Sequence, residues 1–346
     1  MAVVKEFAAT PHFVSKGEIM AKKKEVTVIT MEEKMELMLN NKAFDFKRGD
    51  DESLVVEKVP IGIPNLDALI GGGFPKKALT ELVGDTGAGK SYLATQIAKA
   101  VIEADPNATA ALVDTERAVN PDWLKRCGVP VEKIAILQPT SGEEAIDATR
   151  MLLQSGIDIV ILDSLAGLMP KDNLENDSTY TPMAWQARFI NQNLPKLVND
   201  LRHGSMLIIV NQLRDTLGGN KYEVNLNVPG GQAQVFFAHN FIELRKGAWI
   251  KDKEDVRIGF EMNIRLRKGR FSKEQWNSTK VPFKVDGGID LIETFMREGL
   301  AQGRILQSGA WYTYGDERVM GSQGLHNLFD RNPDLYSKLK LEIGEI

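Results

Sequence analysis

A single cysteine, Cys127, stands in 346 residues, which excludes an intramolecular disulfide and suits a reducing compartment. Flanked by Arg126 and Gly128 after Pro121, it reads as a packing residue rather than a reactive thiol. Four histidines and that one cysteine are too few for a structural metal site of nitrogen and sulfur ligands. No segment approaches the ~18 unbroken apolar residues that span a bilayer. The N-terminus also lacks a charged-then-apolar leader pattern, so the expectation is a cytoplasmic protein with no membrane attachment. Charge of one sign is lacking as well: 43 basic residues against 47 acidic ones give a net charge of -4. Any nucleic acid must therefore meet a local basic surface, because the global field would not attract it. Internal repeats and low-complexity tracts are absent.

What remains is ordinary globular composition, 43% hydrophobic and 26% charged, enough for one large core and small appendages. Three regions emerge. Residues 1–50 are mixed and polar, apart from Met31 to Phe46. There Met31, Met35, Met38, Leu39 and Phe44 fall on one helical face, and Thr30 with Glu33 fits a capping box. That apolar stripe needs a partner, either the chain's own domain or the next subunit. Met20-Ala-Lys-Lys-Lys reads as a second translation start, which leaves residues 1–19 as an extension or as part of the arm.

Residues 51–285 alternate apolar runs with helical patterns, the signature of a mostly parallel sheet covered by helices on both faces. The expected strands are Leu79–Val83, Thr109–Val113, Ile134–Leu137, Asp158–Leu162, Met206–Val210 and Asn240–Leu244, with Met262–Leu266 as a seventh. Two polar gaps, Pro170 to Thr181 and Arg214 to Pro229, exceed ordinary loop length, as functional loops do. Residues 286–346 suggest a small α/β unit: a helix over Ile289–Glu298, a hairpin at Ala310–Tyr314 and a closing helix over Pro333–Leu341.

One stretch carries its chemistry in its spacing. Gly84-Asp-Thr-Gly-Ala-Gly-Lys-Ser91 is a complete phosphate loop between an apolar strand and a helix. Its glycines let backbone N–H groups wrap a phosphate at the positive end of the following helix. Lys90 reaches the outer phosphates and the Ser91 hydroxyl ligates Mg²⁺. Asp163 ends the run Ile159-Val-Ile-Leu162 as the expected acidic partner beside the metal, unless it merely caps the next helix. A third strand ends in Asp114-Thr-Glu116, and either carboxylate suits activation of a water at the γ-phosphate. Gln212, at the end of Leu207-Ile-Ile-Val-Asn211, is poised to contact the same phosphate and report it to the long loop behind it.

With these residues in place, the chain resembles the RecA family of recombinases, in its bacterial and phage branch. The matching stretches include Ile61–Asp67, Gly84–Ser91, Val113–Pro121, Gln138–Ala145, Asp163–Pro170, Gln186–Arg188, Asn211–Arg214, Gly230-Gly231, Pro282–Lys284 and Ser308–Tyr314. Together they cover about residue 55 to the end and are far more specific than any one motif; the arm matches in outline only. The resemblance implies a P-loop ATPase core with a helical N-terminal arm and a small C-terminal α/β domain. It implies a DNA-dependent ATPase that forms helical filaments on single-stranded DNA with ATP and Mg²⁺. That filament would pair its strand with a homologous duplex, and ATP would sit between subunits.

By position, the resemblance makes Gly84, Asp85, Thr86, Gly87, Ala88, Gly89, Lys90, Ser91 and Tyr92 the nucleotide cradle, with Asp163 beside the metal. Glu116 becomes the catalytic carboxylate and Gln212 the coupling residue. Trp123 replaces a tyrosine that stacks on adenine, and Asn120 replaces an aspartate at the base. In the run Arg265-Leu-Arg-Lys-Gly-Arg270, Lys268 and Arg270 match two cations that reach the neighbouring subunit's γ-phosphate. A solvated basic strand edge is the plainer alternative. The two gaps match the DNA-binding loops, with Met183, Arg188 and Asn191 near the first and Arg214, Leu217, Gly230, Gly231 and Gln232 in the second. Asn191 and Pro195 stand where the family has a serine and an arginine on phosphates; proline cannot donate, so that contact is lost or passes to Lys196. Phe236 suits either a subunit-interface relay or core packing, and His239 reads as a polar residue at a strand start. Two rival functions stay open: an ATPase with a translocation or regulatory role and no strand exchange, or a filament scaffold for which ATP is an assembly switch.

Overall fold

Apolar runs that are buried from both sides must be covered by helices on both sides, and the chain folds that way. The computed structural model describes residues 30–171, 182–213 and 233–344. The chain divides into two units, Met1–Val55 and Val56–Ile346.

In the first unit, α1 (Met31–Leu39) begins with the expected reciprocal cap. The Thr30 hydroxyl accepts from the Glu33 N–H at 3.1 Å and the Glu33 carboxylate accepts from the Thr30 N–H at 2.7 Å. The helix stops at Asn40, short of Phe46, because the Asn41 side chain accepts from Ala43 N–H and turns the chain. None of its residues is buried, and the Met31, Met35 and Met38 side chains are exposed.

The second unit opens with β1 (Lys58–Val59), α2 (Pro64–Leu69) and β2 (Phe74–Pro75). It continues with β3 (Leu79–Gly84), α3 (Lys90–Ala104), β4 (Ala110–Asp114), α4 (Pro121–Arg126), β5 (Ile134–Leu137), α5 (Gly142–Gln154) and β6 (Ile159–Asp163). Then come α6 (Pro182–Asp200), β7 (Met206–Gln212), α7 (Ala233–Phe237), β8 (Asn240–Lys251), β9 (Arg257–Gly269), β10 (Ser278–Lys284) and β11 (Gly288–Ile289). The nine-stranded sheet runs β11-β10-β9-β8-β3-β7-β6-β4-β5. The strands from β8 to β5 are parallel, and β9, β10 and β11 add an antiparallel flank. One apolar layer joins Leu82 of β3 to Leu93 and Ile97 of α3; the other joins Leu79 and Val83 to Ile146 of α5 and Leu194 of α6.

The antiparallel flank departs most from expectation. β8 runs on to Lys251, beyond Leu244, and β9 begins at Arg257, ahead of Met262, because these paired outer halves are largely solvated and carry little apolar pattern. β10 has no apolar run and contains Pro282, which argues against a strand. The Pro282 carbonyl accepts from Asp290 N–H at 2.8 Å, so its missing donor faces the side where β11 offers only two residues.

The C-terminal residues build their own core. Helix α8 (Leu291–Ala301), strands β12 (Leu306–Ser308), β13 (Trp311–Tyr314) and β14 (Glu317–Met320), and helices α9 (Ser322–Arg331) and α10 (Pro333–Gly344) enclose Phe295, Tyr314, Phe329 and Leu339. The hairpin expected at Ala310–Tyr314 is instead the single strand β13, which pairs with β12 and β14 in a three-stranded antiparallel sheet.

Candidate active site

The parallel register brings the chemistry-bearing strand ends to one edge. Gly84 pairs with Gln212, and Asp114 pairs with Asp163. At Gly84 the backbone of β8 leaves no room: a Cβ would lie 2.0 Å from the Leu244 carbonyl oxygen. Gly89 opens α3 in a left-handed conformation (φ +89°), and a Cβ there would lie 2.3 Å from the Met262 methyl carbon. α3 carries no side-chain cap, so its first N–H donors face the loop, as an anion site requires.

Lys90 is buried, and its Nζ donates to the carbonyls of Gly84 at 3.0 Å and Asp85 at 2.8 Å. Burial lowers its pKa, against the pull of Asp163, Asp85 and Glu116. The Asp85 carboxylate faces Arg245 Nη1 at 3.5 Å; Thr86 and Gly87 are exposed and Ala88 is buried. The Tyr92 hydroxyl accepts from Ile289 N–H at 3.2 Å and its ring packs edge-on against Phe283, so the side chain serves the join to β10 and β11 while the main chain of Tyr92 stays in the first turn of α3.

Asp163 is buried and lines the same cavity as Ser91. Burial first, then the Glu116 and Asp114 charges, push its carboxyl up to about 6, against the opposing pull of the nearby Ser91 hydroxyl and Lys90. A buried acid that meets a hydroxyl and two further acids suits a divalent cation, which would relieve that excess of negative charge.

The two open candidates for the third carboxylate separate clearly. Asp114 is buried and accepts from Ala118 N–H at 3.3 Å, Val119 N–H at 3.1 Å and Gln138 Nε2 at 3.1 Å, so it holds the following loop. Glu116 is exposed, and its Oε1 accepts from Ser164 Oγ at 2.7 Å and Gln212 Nε2 at 3.3 Å. Thr115 braces this arrangement: its N–H donates to Asp163 O, its hydroxyl donates to Ser164 O, and Ser164 N–H donates back to that hydroxyl, each at 2.8 Å. Sequence reasoning missed Ser164 and Thr115, although each lies beside a residue it singled out.

A cavity of about 260 Å³ opens here, lined by Ser91, Glu116, Asp163, Asn120, Trp123 and Arg126 among others. Asn120 caps α4 by accepting from Trp123 N–H at 2.9 Å, which fixes its Oδ1 and leaves the amide nitrogen toward the cavity's contents. Trp123 is half-buried against the core and offers an aromatic wall.

Lys268 and Arg270 converge on α7. Lys268 Nζ donates to the carbonyls of Val235 at 2.8 Å and Phe236 at 2.7 Å, and Arg270 Nη2 reaches Phe236 O at 3.3 Å. Two cations thus satisfy the C-terminal carbonyls of one short helix. Phe236 itself is 69% exposed, which removes core packing as its role. His239 accepts from Leu79 N–H at 3.1 Å, and its burial, with Arg270 and Lys268, lowers its pKa to about 4. It is a neutral acceptor at the start of β8.

Arg188, Asn191 and Pro195 form one exposed stripe on α6, which Gln186 ties to the turn after β6 by donating to Leu165 O at 2.7 Å. The side chain of Met183, on the same helix, lies outside the described residues. So do Arg214, Leu217, Gly230, Gly231 and Gln232.

Comparison with known proteins agrees with this fold. A family model described as the RecA N-terminal domain matches residues 29–289. The chain is similar to the curated "Protein RecA" of Acidothermus cellulolyticus, 31% identical over 306 residues, with 86% of each chain covered. It is 32% identical over 307 residues to that of Desulforapulum autotrophicum, again with 86% of each chain covered. To that of Aquifex aeolicus it is 31% identical over 306 residues, with 85% of each covered.

Proposed function

The chain belongs to the RecA family, and from that premise we infer a DNA-dependent ATPase and strand-exchange recombinase that forms ATP-bound helical filaments on single-stranded DNA. The observation that carries the reading is Glu116, held by Ser164 and Gln212 at the mouth of the phosphate loop. A passive assembly switch has no need of a carboxylate fixed there.

The residues divide the work. Gly84 to Ser91 bind the triphosphate through backbone N–H groups and Lys90, and Asn120 and Trp123 receive the base. Ser91 and Asp163 would hold Mg²⁺, which supplies charge neutralisation at the outer phosphates when bound. Glu116 orients and deprotonates the attacking water while Ser164 fixes its rotamer. Gln212 makes the γ-phosphate felt by the chain that follows it. Lys268 and Arg270 leave the α7 carbonyls and stabilise the transition-state charge in the adjacent subunit's site.

Residues 1–50 act as the polymerisation arm, 51–285 as the ATPase core and 286–346 as the C-terminal domain. Met183, Arg188, Asn191, Arg214, Leu217, Gly230, Gly231 and Gln232 meet single-stranded DNA, and a homologous duplex is the second DNA partner. No helix among the described residues is long and apolar enough to cross a membrane, in keeping with a place in the cytoplasm.

The test is ATP hydrolysis with and without single-stranded DNA, alongside electron microscopy of the same samples. Stimulated turnover and DNA-dependent filaments are expected. The absence of both stimulation and filaments would overturn the reading in favour of a regulatory ATPase.

A further inference from the structure

The loop between β9 and β10 holds Trp276 out from the fold in a backbone conformation that its side chain does not favour. Leu266 N–H donates to Asn277 O at 3.0 Å and Leu266 O accepts from Trp276 N–H at 2.7 Å, so Trp276 and Asn277 together face one residue of β9. The first position of such a bulge is ordinarily glycine, because it requires a positive φ, and Trp276 takes it at φ +73°. The other described non-glycine residues with positive φ are Lys77, Arg117 and Asp255, none of them bulky and apolar. The loop is braced on several sides. Ser272 Oγ donates to Leu69 O at 2.8 Å, Gln275 Nε2 to Gly269 O at 3.0 Å and Lys58 Nζ to Phe271 O at 2.8 Å. Strain kept in a braced loop, where glycine would relax it, marks a side chain in use.

The indole is 58% exposed. Trp249 and Trp311 are exposed too, but Arg257 and Arg318 lie over their rings at 4.6 Å and 5.0 Å, a cover that Trp276 lacks among the described residues. Arg270 N–H donates to His239 O at 2.9 Å and Gly269 pairs with Asn240, so the loop leaves the edge where the parallel strands begin. The phosphate loop leaves the opposite edge, after Gly84. Lys268 and Arg270, which both reach Phe236 O, lie on the edge that carries Trp276. A filament grows by head-to-tail contacts, in which one surface meets a different surface on the next copy. Where a triphosphate on one edge is completed by cations from the other edge of the next subunit, that second edge lies against a neighbour, Trp276 included. Within the loop the exposed Lys273 and Glu274 balance in charge, so no excess of positive charge marks it for phosphate.

We propose that Trp276 is an interface residue that packs against the next copy of this chain in the assembled filament, on the same edge as the Lys268–Arg270 pair. This contact rests on the reading above, in which those two cations serve the adjacent subunit's nucleotide. It gives a contact otherwise built on charge an apolar anchor that salt does not screen. The bulge at Trp276 then has a purpose: it fixes the direction in which the ring is presented.

The experiment compares the full chain with Trp276→Gly in ATP-dependent binding to a long single strand and to an oligonucleotide too short for two copies, with thermal melting as a second readout. Glycine removes the ring and relieves the positive φ, so Trp276→Gly should melt no lower than the parent chain. It should bind the short oligonucleotide as the parent does. On the long strand it should need at least about tenfold more protein for half coverage, as the loss of an interface aromatic requires. Trp276→Tyr keeps a ring at the same position and should stay within about twofold of the parent. Equal weakening on both DNAs would make Trp276 a DNA contact, and an unchanged long-strand titration would leave the ring without a partner. A clearly lower melting temperature in Trp276→Gly would make the indole a structural part of its loop. Each of these three results overturns the contact and leaves the proposed function intact. A parent chain that covers the long strand without cooperativity, and forms no filaments by electron microscopy, overturns the proposed function and the contact with it.

Discussion

The Ser164 hydroxyl donates to Glu116 Oε1 at 2.7 Å across 48 residues of sequence. That bond gives the exposed carboxylate one preferred orientation, beside Gln212 and above the phosphate loop. If Glu116 activates water, Glu116→Gln should keep ATP and DNA binding while hydrolysis falls by about 10²–10⁴-fold. Ser164→Ala should slow turnover by roughly ten- to a hundredfold, with ATP affinity unchanged. Near-normal turnover in Glu116→Gln would move the role elsewhere, although Asp114 is occupied by Ala118, Val119 and Gln138.

The Lys268 ammonium sits on the carbonyls of Val235 and Phe236, so its loss has both a local and a between-subunit reading. Lys268→Ala should abolish DNA-stimulated hydrolysis in either case. Mixing decides between them. A Lys90→Ala subunit lacks a working phosphate loop but brings an intact Lys268, so mixed filaments should regain activity where it faces a Lys268→Ala subunit. Failure to complement would mean a site complete within one chain.

Pro195 occupies the exposed α6 stripe with Arg188 and Asn191, and inside a helix it also leaves the carbonyl of Asn191 without its usual donor. Pro195→Arg should tighten single-strand binding and steepen the salt slope by about one unit, as an added phosphate contact requires. It should also raise the melting temperature, because proline inside a helix costs about 3 kcal/mol. An unchanged slope, measured by titration at several salt concentrations, would remove Pro195 from the DNA contact surface.

Glu81 lies fully buried in the middle of β3, and that burial gives the fold a signed pH dependence. Its carboxyl ionises near 4.5 in the unfolded chain and near 8 in the folded one. Between those values the folded state holds the extra proton, so this group's contribution to stability is complete below about 4.5 and is lost as pH rises toward 8. Glu81→Gln should flatten the fall in stability over that window, read from denaturant midpoints at a series of pH values. An identical slope in the variant would place the titration on another group.

Much of this site was legible because its chemistry lies in consecutive residues. The phosphate loop, the acid after Ile159-Val-Ile-Leu162 and the polar end of β7 follow from local spacing and from apolar runs buried on both faces. Partnerships between distant residues were not legible. Nothing in the sequence joins Glu116 to Ser164, Tyr92 to Ile289, or Lys268 to the carbonyls of α7, since each pair meets only when the sheet assembles. The outer halves of β8 and β9 escaped for the opposite reason: solvated strands carry little hydrophobic signal. The Asp114 and Glu116 alternatives separated only once the loop between β4 and α4 claimed one of them.

The wall behind the phosphate loop is the main chain of β8, with the Leu244 carbonyl directly against Gly84. Main-chain atoms are common to every amino acid. Residue 244 is therefore free to drift among apolar types without altering the loop's curvature, while residue 84 has no such latitude. Substitution tolerance at this contact should be one-sided, with the entire constraint recorded on the glycine.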